Sequence, residues 1–191
     1  MKELEQHCQR WVDKSKKYDE EKTEEVFDKF FTLFVAYNSI YFNATMDLIK
    51  NGKIGKRRTG DKVSATKNMT DFIGTEKLYN TLIDLKVEVL KIIEEIEDKR
   101  FFVSTKEDNY TADHEEDTRL ISEIKDNFEL KNKAGKRKFN IALLTLIYGV
   151  RCNMFHGQKR ISSPQKKILN PMNKILETII NNSIIEGKLR F

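Results

Sequence analysis

An arginine, an asparagine and a histidine fall within six residues of one another in the stretch Tyr148-Gly149-Val150-Arg151-Cys152-Asn153-Met154-Phe155-His156-Gly157. These side chains suit phosphate chemistry. Arg151 offers a planar, permanently charged fork for paired oxygens. A histidine such as His156 ordinarily titrates near neutral pH and can act as base or acid. Asn153 lies three positions before the histidine, shares a helical face with it, and is placed to orient the imidazole or bind a phosphate oxygen. Arg151 and His156 are about 140° apart on an ideal helix, so a regular helix keeps them separate. Gly157 directly after His156 predicts a helix end there, from which the imidazole swings back toward the long arginine.

Other chemistry is poorly supported. Three histidines and two cysteines, none in paired ligand spacing, predict no metal site, and His7-Cys8 reads as a surface histidine beside a half-buried thiol. The acidic run Asp113-His114-Glu115-Glu116-Asp117 fits the positive end of a helix dipole. Cys152 reads as a small packing residue. The chain carries no Walker-type loop and no dinucleotide glycine fingerprint, so no cofactor is expected.

The stretch from about Arg137 to His156 is the most apolar of the chain, with Phe139, Ile141, Leu143, Leu144, Leu146, Ile147 and Val150 leaving little polar surface, and a helix of that kind is central. A guanidinium on it must be paired, lie at an opening or face another subunit. Further helices are predicted over about Leu4–Tyr18, Thr23–Lys50 (stopped by Asn51-Gly52), Asp61 to before Gly74 with Asp61 as N-cap, Glu76 to about Arg100 as one long helix capped by Thr75, and about His114–Phe128. Ser163-Pro164 starts the last helix, which Pro171 kinks or truly begins. Residues 104–113 are polar and irregular. The fold class is all-α: a single domain over 1–191, an antiparallel helical bundle with its core in about 20–50 and 76–187, an N-terminal helix over 1–18, and additional short helices.

The composition agrees. In 191 residues there are 35 Lys+Arg against 30 Asp+Glu, 39% hydrophobic residues, 8 Gly and 2 Pro. So few turn formers exclude most all-β sandwiches and barrels, and the near balance of charge argues against disorder. The polar N-terminal segment and the lack of a long apolar run predict a soluble, cytoplasmic protein without membrane contact. The net charge of +5 matters less than its segregation into loops. Lys53, Lys56, Arg57, Arg58 and Lys62 form one basic cluster, and Lys131, Lys133, Lys136, Arg137 and Lys138 another. Lys159 and Arg160 follow His156 directly and are the candidate RNA contacts.

With four residues between Arg151 and His156, the stretch resembles the R-x(n)-H signature of the HEPN family (higher eukaryotes and prokaryotes nucleotide-binding domains), and its Y-x-x-R-C-N-x-x-H-G context looks like a subgroup pattern. The resemblance is firm over about ten residues and extends through helix order from Glu76 onward. It implies a HEPN-type bundle and a metal-independent endoribonuclease. Two motifs of a homodimer would meet in one composite site, with Arg151, His156 and Asn153 catalytic and RNA as substrate. A toxin or phage-defence effector held by a regulatory or antitoxin protein is the matching biology. Some members of the family are non-catalytic dimers that bind RNA, nucleotide or a protein partner, and that reading stays open. So does an interaction protein in which Arg151 and His156 only satisfy polar groups at a subunit contact.

Overall fold

A computed structural model describes residues 2–56, 59–106, 111–129, 132–155 and 163–185, and over them the chain is all-α. Its elements are α1 (Lys2–Ser15), α2 (Thr23–Lys50), α3 (Asp61–Val63), a π-turn (Ser64–Asn68), α4 (Met69–Ile73), α5 (Thr75–Ile83), α6 (Lys86–Glu97), α7 (His114–Asp126), α8 (Lys133–Phe155) and α9 (Ser163–Ile185). No helix among the described residues is long and apolar enough to cross a membrane.

The apolar helix around the motif is α8, and no residue from Phe139 to Met154 is exposed. It packs on α5, α7 and the π-turn, while α2 packs on α1, α9 and the π-turn, and α6 packs on α9. Each fully buried Leu, Ile or Phe along these faces stabilises the fold by about 1.5–3 kcal/mol. The core also takes in Cys8 and Val12 from α1 and Ala65, Met69 and Ile73 from the short-helix region. Burial pushes the Cys8 thiol up to about 11.

The predicted single helix from Glu76 to Arg100 is in fact two. Asp84 and Leu85 interrupt it, and the Leu85 N–H turns back to Leu82 O at 3.1 Å. The apolar row Leu78, Leu82, Leu85, Val89, Ile92 and Ile96 stays in helical phase across the break, so periodicity gives no sign of it. Across the break the main neighbour changes, α5 packing chiefly on α8 and α6 on α9. Thr75 is likewise the first residue of α5, and Gly74, at φ 96°, holds the cap position. Gly52, at φ 66°, ends α2 in the left-handed conformation that its sequence predicts. Pro171 is accommodated inside α9, which is one helix from Ser163 to Ile185.

Candidate functional site

Arg151 sits one turn from the end of α8, with about a quarter of its side chain exposed. Its guanidinium lies 5.6 Å from the centre of the Phe34 ring and 5.9 Å from that of Tyr148, which gives it a cation–π contact on each. Phe34 belongs to a row on α2: Phe30, Phe34, Tyr37 and Tyr41 follow one another at ring separations of 5.9, 5.6 and 5.5 Å. Helical spacing lines these rings up, and Tyr37 anchors the row by donating its hydroxyl to Ala65 O in the π-turn.

Asp61 closes this cage. Its Oδ1 accepts the Tyr41 hydroxyl at 2.6 Å and its Oδ2 accepts the Tyr148 hydroxyl at 2.8 Å. Oδ2 also lies 4.0 Å from Arg151 Nη1, within Coulomb range but beyond a hydrogen bond. Asp61 is therefore not the helix cap that its sequence predicts. Gly60 holds the cap position, Asp61 is the first helical residue, and its carboxylate is spent on α2 and α8. Burial, together with the hydrogen bond to Asp61, raises the pKa of both Tyr41 and Tyr148, so both hydroxyls stay protonated as donors.

Asn153 does not join Arg151. Two positions on along the helix, it points about 200° away. Its buried Nδ2 donates to Val103 O at 2.7 Å and to Phe102 O at 3.3 Å. Its N–H groups thus hold segment 101–104 against α8, while Asn153 also lines the small groove that reaches Cys152. Gly149 serves the same contact. A Cβ there would stand 2.5 Å from Val103 Cγ1 and 3.0 Å from Val103 O. Gly149→Ala therefore should cost about 1–3 kcal/mol despite its better helix propensity, because the Val103 carbonyl it meets is already held by the Asn153 amide. Thermal unfolding of the variant checks this.

The acidic run divides its work. Asp113 caps α7 by accepting the Glu116 N–H at 3.1 Å, Glu116 pairs with Arg119 at 2.7 Å, and the buried Asp117 accepts the Val103 and Ser104 amides. Part of the second basic cluster is also committed, Arg137 to Asp71 at 3.0 Å and Lys136 to Glu76. Lys62 and Lys138, one from each cluster, line a single groove of about 370 Å³ together with Lys67, Arg119, Glu116 and Glu123. Through Lys62, Glu116 and Thr145 that groove adjoins a smaller one of about 180 Å³, which ends at Tyr148 and Cys152 beside Arg151. His156, Lys159 and Arg160, the other predicted site residues, lie outside the described residues, as do Arg57, Arg58 and Lys131.

Phe34, Tyr41 and Asp61 were not legible as site residues. The spacing of Phe34 and Tyr41, seven apart on α2, gave one signal, but it reads equally as core packing. Comparison with protein-family models, curated proteins and solved structures finds no match for this chain.

Proposed function

We propose that this chain is a HEPN-type, metal-independent endoribonuclease, active as a homodimer, in which Arg151 stabilises the charge growing on the scissile phosphate and His156 moves the protons. The observation that carries the reading is the setting of Arg151. It is the one cation in the apolar stretch Phe139–Met154 of α8, set against two aromatic rings and facing Asp61 at a partly open end.

The chemistry follows from the residue types. Cleavage by the RNA's own 2′-hydroxyl needs a base for that hydroxyl, an acid for the departing 5′-oxygen and cations for the phosphorane-like charge. Two copies of His156 across a two-fold axis supply base and acid, and the guanidinium forks supply the cations. An apolar stripe flanks the Phe34–Tyr41 row on α2, one position further round the helix: Val35, Phe42 and Met46 are 38%, 61% and 48% exposed. Such a stripe suits coverage by a second copy. The groove bearing Lys62, Lys67, Arg119 and Lys138, with Glu116 and Glu123 also on its wall, runs along the first half of α8, and the smaller groove beside it leads an RNA backbone on toward Arg151. A toxin or defence role under a protein regulator fits a ribonuclease of this kind.

The test is cleavage of single-stranded RNA by purified protein. The expected result is cutting that survives EDTA, leaves a 2′,3′-cyclic phosphate or its hydrolysed 3′-phosphate, and spares DNA, which lacks the attacking hydroxyl. RNA bound but left intact under all conditions overturns the enzyme reading in favour of a binding module.

A further inference from the structure

Donors from two long helices converge on one carboxylate at the mouth of the site. Tyr41 comes from α2, Tyr148 and Arg151 come from α8, and both helices are packed along their length in the core. The acceptor comes from elsewhere, at the first residue of a three-residue helix. Its side chain is about half exposed, and the space around Gly60 before it is open.

We propose that Tyr41, Tyr148 and Arg151 form a binding site for a tetrahedral oxyanion, the phosphate of an RNA or nucleotide, and that the Asp61 carboxylate is its built-in occupant, which an incoming phosphate displaces. The donor set is that of an anion site: two neutral hydroxyls and one guanidinium around a single negative group. Asp61 satisfies both hydroxyls but stands 4.0 Å from the arginine, so it engages the strongest donor least well. A phosphate spreads its charge over more oxygens than a carboxylate and can take both hydroxyls while meeting the guanidinium fork directly. The site is thus held in shape with its charge balanced until substrate arrives, and binding carries the cost of releasing Asp61. This deepens the ribonuclease reading by giving its site a guard, and it rests on that reading only for the identity of the polymer.

The sign of the effect separates a guard from a strut. Asp61→Asn keeps the size of the side chain and an acceptor for a tyrosine hydroxyl but removes a like charge about 4 Å from the incoming anion. Inorganic phosphate, followed by tyrosine ring shifts in NMR titration of the whole chain, should bind roughly ten-fold more tightly to the variant. The gain should shrink in the Asp61→Asn, Tyr148→Phe double variant and vanish with Arg151→Ala. Repeating the titration with a 5′-mononucleotide and with an uncleavable deoxyribose oligonucleotide assigns the phosphate to a free nucleotide or to a polymer, according to which gains more. Unchanged or weaker phosphate binding by a folded Asp61→Asn protein overturns the inference, whether or not the wild type cuts RNA. Tighter binding upholds it even if no RNA is ever cut, in which case only the ribonuclease reading falls.

Discussion

Arg151→Ala is expected to abolish the proposed RNA cleavage and to leave the helical fold standing. The guanidinium makes two ring contacts worth about 0.5–1 kcal/mol each and lies 4.0 Å from Asp61 at a partly exposed site, so circular dichroism should be unchanged and the melting temperature lowered only modestly. Its loss from the reaction is far larger. A preorganised donor aimed at developing phosphate charge is worth about 10²–10³ in rate. His156→Ala removes the proton-transfer group and should cost about 10²–10⁴. Arg151→Lys rescues poorly, because a point charge cannot stack between Phe34 and Tyr148 or present two parallel N–H bonds. Single-turnover rates on a labelled oligoribonucleotide, with scattering to confirm that each variant keeps its oligomeric state, decide the matter. Variants that cut as fast as wild type would show that the motif is not the catalyst.

Asp117→Ala should lower stability by about 3 kcal/mol or more. The carboxylate is 2% exposed, and its two oxygens accept the Val103 N–H at 2.9 Å and the Ser104 N–H at 2.7 Å. Removing it strands two backbone donors, each at about 1–3 kcal/mol. It also frees the segment that Asn153 and the close approach at Gly149 hold against α8. Asp117→Asn retains one acceptor oxygen and should lose about half as much. Urea denaturation of both variants measures the difference, and a loss below about 1 kcal/mol for alanine would mean that water replaces the carboxylate at those amides.

Much of the fold was legible because its signals are local. The span of α2 was read to the residue from its apolar rows and from Asn51-Gly52, and the all-apolar character of α8 marked the most deeply buried helix of the motif region. Where expectation failed, the deciding contacts lie far apart in sequence. Asp84 and Leu85 break a helix whose apolar stripe never slips, and the main neighbour changes across the break. Asp61 carries the composition of a cap, yet its carboxylate serves tyrosines 20 and 87 residues away. Asn153 shares the face expected for a site residue, but it finds backbone carbonyls some 50 residues upstream. A side chain's type and spacing limit what it can do, whereas its partner is set by tertiary packing.

The packing of α2 on α9 constrains when the protein becomes competent. Asn173 reaches back 147 positions to donate to Val26 O, so the contact order of this pair is high and its closure slow. On the ribosome, α2 emerges well before α9 and must wait for it before its second face is covered. Phe34, whose ring lies against the arginine, and Tyr41, which donates to Asp61, ride on that waiting helix. Nascent chains therefore lack finished surroundings for Arg151 until translation has passed α9.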